Sequence, residues 1–308
     1  MAQIAFLFPG QGSQHVGMGR ALAEQFPRAR DTFAEADDVL GIGLSRLCFE
    51  GPAESLSLTE NTQPALLAHG WALARVLTED LGLRPDWAAG HSLGEFTALV
   101  AAGALRFSDA LRLVRERGRA MQQAVPVGEG TMAAVLGLEA DAVEAICREA
   151  SQGEVVSAAN FNGPGQVVIA GHRTAVERAS ALAKARGAKR VLPLSVSAPF
   201  HCSLMQPAAD HLQAVLATVS FETPALPVLS NVEADVYPNA AAIPRLLVRQ
   251  VISPVRWQES VVKLAQLGCR RALEVGPGKV LTGLVKRIAP EIDCLPAEDV
   301  DRVRLLAA

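Results

Sequence analysis

The chain has 308 residues, half of them hydrophobic, with 29 lysines and arginines against 32 aspartates and glutamates for a net charge of −3. That length leaves room for about two domains and a substantial core, and the charge supplies no basic footprint for nucleic acid. No apolar run approaches the ~20 residues that cross a bilayer, and the start Met1-Ala2-Gln3-Ile4 lacks the regions of a leader. Five scattered cysteines without a Cys-x-x-Cys pair offer no zinc or redox motif and fit a reduced cytosol.

Ile4 to Phe8 reads as a short buried strand running into the loop Pro9-Gly10-Gln11-Gly12-Ser13-Gln14. Helix-forming segments follow around residues 18–40 and 62–80, and Trp87, Ala88 and Ala89 then end a second buried strand. Next comes Gly90-His91-Ser92-Leu93-Gly94, ahead of a helix expected from Leu93 to Leu105. A serine between two glycines at a strand-to-helix switch has the form of a nucleophile elbow: the serine backbone is strained, and only glycine-sized neighbours let strand and helix approach closely enough to expose the hydroxyl. The helix amino terminus beside Ser92 favours an alkoxide or oxyanion. Taken alone, the five residues fit an ordinary Gly-rich turn equally well; the flanking strand and helix give them weight.

A further helix is expected from Ala110 to Val125. The alternation to this point predicts an α/β fold, a mostly parallel sheet with helices on both faces. The rhythm then changes. Strand Thr131–Gly137, helix Asp141–Ala150, strands Val155–Asn160 and Gln166–Ala170, helix Thr174–Ala185 and strand Lys189–Leu194 spell β-α-β-β-α-β, the ferredoxin-like order. A small inserted domain is therefore expected at 128–197, with 1–127 and 198–308 forming the large one. A strand at Pro227–Asn231, helices near 241–250 and 257–267, a strand at Ala272–Val275 and a helix from Lys279 complete the chain.

A serine nucleophile needs a base, and the histidines are His15, His69, His91, His172, His201 and His211. His201 lies in Ser197-Ala198-Pro199-Phe200-His201-Cys202, a Pro-bearing loop where the chain re-enters the large domain, and loops on a rigid frame commonly carry catalytic groups; the alternative is a hydrogen-bonded histidine of no catalytic use. His91, next to the nucleophile at a strand end, is expected to point to the opposite face, and His211 falls within the helix-like run Asp210–Val219. An α/β-hydrolase would place its histidine after the last strands, yet none follows His211, so the elbow belongs to a different serine acyl-transfer design.

Arg117 falls in the middle of the apolar stripe Ala110, Leu113, Val114, Met121, Ala124 and Val125. A buried guanidinium needs a partner, and its fork fits a carboxylate. That partner is either an internal Asp or Glu or the free carboxylate of a substrate. Two Gly-rich loops fail as phosphate cradles: Gly276-Pro277-Gly278-Lys279-Val280 has no Ser or Thr after Lys, and Gly10-Gln11-Gly12-Ser13-Gln14-His15 lacks the last glycine of the dinucleotide pattern. The latter is better read as an oxyanion-hole strand end.

Together these residues resemble the malonyl-CoA:acyl carrier protein transacylases, the malonyl/acyltransferase family of fatty-acid and polyketide synthesis. The resemblance spans nearly the whole chain, through Phe8-Pro9-Gly10-Gln11-Gly12-Ser13-Gln14, Thr62-Gln63-Pro64-Ala65, Gly90-His91-Ser92-Leu93-Gly94-Glu95, the Arg117 helix, Asn160-Phe161-Asn162-Gly163-Pro164-Gly165-Gln166, Phe200-His201, Ser253-Pro254-Val255-Arg256-Trp257 and Glu274-Val275-Gly276-Pro277-Gly278. It implies an α/β-hydrolase-like large domain joined to a ferredoxin-like small one. Ser92 would take the malonyl group from malonyl-CoA as an ester and pass it to the phosphopantetheine thiol of acyl carrier protein, in ping-pong order. His201 would act as base and then acid, the Gln11 and Leu93 N–H groups would hold the oxyanion, and the Gln250 backbone carbonyl would orient His201 in place of an acid.

Arg117 would grip the malonyl carboxylate, and Phe200 would favour malonyl over a branched unit. No permanently bound cofactor and no metal is implied; malonyl-CoA is a substrate, and the protein is expected to be a cytoplasmic monomer without membrane or nucleic-acid partners. Lys184, Arg186, Lys189 and Arg190 meet an acidic carrier protein or simply form a solvated face. The carrier belongs either to fatty-acid synthesis or to a polyketide synthase served in trans. A serine thioesterase or hydrolase and a non-catalytic carrier scaffold are the competing readings.

Overall fold

The computed structural model describes residues 3–194, 196, 198–298 and 304; Met1, Ala2 and Ser197 lie outside them. Strand β1 (Ile4–Phe8) precedes helices α1 (Arg20–Gln25), α2 (Pro27–Leu40), α3 (Leu44–Glu50), α4 (Ala53–Leu56) and α5 (Thr59–Arg75), the last continued by a π-turn over Val76–Asp80. Strand β2 (Trp87–Gly90), α6 (Leu93–Ala101) and α7 (Phe107–Gln123) follow. The expected segment at 18–40 breaks at Phe26, where Pro27 starts α2 in its first turn. The helix expected to reach Leu105 ends at Ala101, because Gly103 turns left-handed at φ 71.

The middle of the chain builds β3 (Gly130–Leu136), α8 (Ala140–Ser151), β4 (Val156–Gly163), β5 (Gln166–His172), α9 (Arg173–Ala185) and β6 (Arg190–Pro193). Their sheet runs β4-β5-β3-β6 with every neighbour antiparallel, the ferredoxin-like arrangement. Afterwards come α10 (Gln206–Leu216), the short hairpin β7 (Leu229–Ser230) and β8 (Asp235–Val236), α11 (Ile243–Ile252), α12 (Trp257–Gln266), β9 (Arg271–Glu274), α13 (Val280–Ile288) and β10 (Asp293–Pro296).

The other four-stranded sheet is all parallel, in the order β10-β9-β1-β2. The strand expected at Pro227–Asn231 contributes to it only one parallel bridge, between Val228 and Ala88, while β10 carried no sequence expectation.

Alternation along β1 splits the core. Phe6 and Phe8 join the large cluster with α5, α6 and α7, whereas Ala5 and Leu7 face the cluster built on α12 and α13. Both faces are buried, which is why these strands read as unbroken apolar runs. The ferredoxin-like sheet has a third cluster against α8 and α9. It is tied to the rest along β4, where the Val255 N–H donates to the Ala159 carbonyl and the Phe161 N–H to the Val255 carbonyl, both at 2.9 Å.

Candidate active site

Ser92 caps α6 at φ 52 and ψ −103, a left-handed conformation unusual for a side-chain-bearing residue. The flanking glycines allow this bend. A Cβ on Gly90 would lie 1.9 Å from the Gly94 carbonyl carbon, and one on Gly94 would lie 2.0 Å from the Phe8 carbonyl oxygen. Both contacts are with backbone, so no side chain can move aside to admit a larger residue. The strain is held from both sides: the Ser92 N–H donates to Asn231 Oδ1 at 2.7 Å, and the Ser92 carbonyl accepts from Gln250 Nε2 at 2.9 Å.

Ser92 Oγ lies 2.8 Å from His201 Nε2, although 109 residues separate them. The other ring nitrogen, Nδ1, sits 2.8 Å from the Gln250 backbone carbonyl. Because a carbonyl can only accept, Nδ1 carries the proton and Nε2 is left to accept from the serine hydroxyl. His201 itself is left-handed at φ 59 and 4% exposed. Burial first, and then the nearby Arg117 cation, push its pKa down to about 3, so the ring is a neutral acceptor at physiological pH.

Arg117 is 2% exposed, and its guanidinium donates to Gln63 Oε1 at 2.8 Å, Gln250 Oε1 at 2.8 Å and Ser92 Oγ at 3.1 Å. It lies over the Phe96 ring, 5.3 Å from the centroid, and Nε has no protein partner. The internal-acid alternative is therefore not what the fold builds: among the described residues no carboxylate forms an ion pair with Arg117, and neutral amides hold it instead. Burial lowers its pKa to about 10 while Glu95 opposes that shift, so the group stays charged.

These groups line a cavity of about 110 Å³ between the two sheets. Gln11, Ser92, Leu93, Arg117 and His201 border it from the parallel sheet's side, and Met132, Asn160 and Leu194 from the other. Phe200 lines it beside His201. The N–H of Leu93 belongs to the first turn of α6, where N–H groups lack intrahelical acceptors.

His91 corrects the sequence expectation. Strand β2 stops at Gly90, so alternation no longer governs the next residue. His91 turns toward the same cavity, with Nε2 2.8 Å from Asn162 Oδ1. His211 lies away from this constellation, beside Glu116, and Lys184, Arg186, Lys189 and Arg190 are all exposed, Arg186 pairing with Glu149. Among the described residues no cluster of His, Cys, Asp and Glu has the makings of a metal site.

Sequence reasoning gave no role to Gln63, Glu95, Asn160, Asn231 or Tyr237. Gln63, Glu95 and Asn160 stood inside the quoted motifs, and a polar residue directly ahead of a mostly apolar helical run, Pro64–Gly70 or Phe96–Ala102, was a usable signal. Asn231, 1% exposed, also donates from Nδ2 to the Gly90 carbonyl at 2.7 Å and so braces both ends of the elbow. It ends a short apolar run and carried no such signal.

Comparison with known proteins matches the acyl transferase domain family over residues 5–307. The malonyl CoA-acyl carrier protein transacylase of Escherichia coli strain K12 is 53% identical over 100% of this chain and 99% of its own. Among solved structures, an acyl carrier protein S-malonyltransferase from Vibrio cholerae superposes with a TM-score of 0.97 at 51% identity, covering 99% of this chain and 100% of its own. A malonyl-transacylase solved with its type II polyketide synthase acyl-carrier protein gives 0.96 at 50% identity, covering 98% of each chain.

Proposed function

Because this chain belongs to the acyl transferase domain family, we propose that it transfers the malonyl group of malonyl-CoA to the phosphopantetheine thiol of acyl carrier protein through an ester on Ser92. One observation carries the reading: Ser92 Oγ lies within hydrogen-bond reach of both a neutral imidazole and a guanidinium that has no acidic partner among the described residues. A hydrolase acting on uncharged acyl groups has no use for the second.

His201 Nε2 takes the Ser92 proton as Oγ attacks the thioester carbonyl carbon. The Gln11 and Leu93 N–H groups receive the oxyanion, a contact worth ~3 kcal/mol per donor in comparable sites. Collapse breaks the C–S bond, and the leaving coenzyme A sulfur takes the proton back from Nε2. The carrier thiol then repeats the sequence in reverse, its proton passing to Nε2 and returning to Ser92 Oγ. The Gln250 carbonyl keeps Nδ1 protonated throughout, which fixes the useful tautomer without a carboxylate. One thioester is exchanged for another, so the enzyme's task is to keep water from the acyl-serine, and the cavity between the sheets is suited to that. Arg117 holds the distal carboxylate, and Phe200 narrows the space beside the acyl chain.

In this reading residues 1–127 and 198–308 form the catalytic part, 128–197 the ferredoxin-like part, and the cleft between them receives the thioester arm. The protein works as a cytoplasmic monomer without bound cofactor, membrane or nucleic acid. Five free cysteines, four of them buried, support a reducing compartment, and no described helix is long and apolar enough to cross a membrane. The likeness to a transacylase of polyketide synthesis makes that carrier class a second candidate acceptor. Incubation with malonyl-CoA followed by intact mass spectrometry tests the core of the reading. A malonyl adduct that Ser92→Ala lacks and that phosphopantetheinylated carrier discharges is expected; steady release of malonate with no adduct would mean hydrolysis. Carriers of fatty-acid and of polyketide synthesis, compared in the discharge step, identify the acceptor.

A further inference from the structure

Glu95 is an ionisable group bonded to the catalytic constellation through Gln250, and these steps do not use it. It sits on the first turn of α6, fully buried. Its carboxylate accepts from Gln250 Nε2 at 2.6 Å, from the Asn231 N–H at 3.1 Å and from the Tyr237 hydroxyl. The Gln250 amide is therefore shared between opposite charges: Nε2 faces Glu95, and Oε1 accepts from Arg117 at 2.8 Å.

An amide has one donating and one accepting end. With the Glu95 carboxylate and the Ser92 carbonyl on one side and a guanidinium on the other, only one orientation satisfies all three; the reversed amide would point N–H groups at Arg117 and oxygen at oxygen. Glu95 and Arg117 thus feel each other across an interposed neutral group. A direct pair would put a carboxylate on the fork, whereas across the neutral Gln250 amide Glu95 supplies a counter-charge and the fork is bonded only by neutral groups, Gln63, Gln250 and Ser92 Oγ. Burial pushes the Glu95 carboxyl up to about 7, and Arg117 acts against that rise. Each group therefore favours the charged form of the other.

We propose that Glu95 is a positioning residue for the acyl carboxylate: by fixing which end of the Gln250 amide faces Arg117, it aims the guanidinium into the cavity beside Ser92 without occupying it. This rests on the functional reading above and adds a residue and a device to it.

The test compares kcat/KM for acylation of Ser92 by malonyl-CoA and by acetyl-CoA in the wild type, Glu95→Gln, Gln250→Ala and the double variant. Gln250→Ala keeps the backbone carbonyl that holds His201. Glu95→Gln keeps an accepting oxygen but removes the charge; with a charged hydrogen bond worth roughly tenfold or more, it is expected to lower the malonyl rate by up to about that factor and the acetyl rate by less than about threefold. Gln250→Ala lowers the malonyl:acetyl ratio similarly, and the double variant lowers it no further than Gln250→Ala alone. Equal losses for both acyl groups in Glu95→Gln, or losses in the ratio that multiply in the double variant, overturn the proposal. Should Glu95→Gln fail to fold, an unchanged ratio in Gln250→Ala overturns it. A wild-type protein that forms no malonyl adduct on Ser92 instead refutes the functional reading, and this proposal with it.

Discussion

Replacing Arg117 by Ala separates recognition of the acyl carboxylate from the chemistry at the carbonyl. In the wild type the guanidinium is 2% exposed and borders the cavity with Ser92. Without it, a malonyl carboxylate would be buried with no cation, and stranding one member of a buried charge pair costs ~3–5 kcal/mol. At about 1.4 kcal/mol per tenfold, that is on the order of 10²–10⁴-fold in kcat/KM for malonyl-CoA. An acetyl group has no charge to strand.

Acetyl transfer loses only the 3.1 Å bond from Arg117 to Ser92 Oγ, a contribution of about 1 kcal/mol or roughly fivefold. Removing the cation also relieves part of the downward pressure on the His201 pKa, which offsets some of that loss. Arg117→Lys, with a charge but no fork, should fall between wild type and Ala for malonyl. Acylation rates for the two thioesters, with melting curves to confirm folding, provide the assay. Comparable losses for malonyl and acetyl would show that Arg117 is a packing element of α7 and refute the argument.

Gly94→Ala forces a Cβ to within 2.0 Å of a β1 carbonyl oxygen; the expected destabilisation is about 3 kcal/mol or more, visible as a clear drop in Tm, and a variant melting with the wild type would show that the elbow is not tightly packed. His69 is fully buried, its Nδ1 has no partner, and desolvation pushes its pKa down from 6.5 to about 3. Between those values the unfolded chain binds a proton that the folded chain refuses, so acid costs stability. His69→Leu should therefore gain in Tm relative to wild type as pH falls from 8 to 5, on the order of a proton's uptake across that window, and a pH-independent difference would argue against the assignment. Phe200→Ser enlarges the cavity beside His201 and should raise the methylmalonyl:malonyl acylation ratio; an unchanged ratio would remove Phe200 from specificity.

The local chemistry was written into consecutive residues. Gly90 and Gly94 announced a close backbone approach, Arg117 stood out on an apolar stripe, and the β-α-β-β-α-β order of residues 130–193 followed from period alone, because side-chain spacing within an element is a short-range property. The re-entry loop marked His201 as a candidate base, and resemblance to a family gave it that role and added Gln250; the link of either to Ser92 no periodicity can reveal. Distances across 109 and 158 residues are set by sheet register and by how α10 and α11 pack, and both are decided by the whole core at once. The same cause explains the misread places. His91 faces the cavity because the strand stops one residue earlier, the expected strand at Pro227–Asn231 shortens to the two-residue β7 and one bridge to the parallel sheet, and the internal partners of Arg117 are amides from α5 and α11 rather than an acid, a choice that only the assembled interior could make.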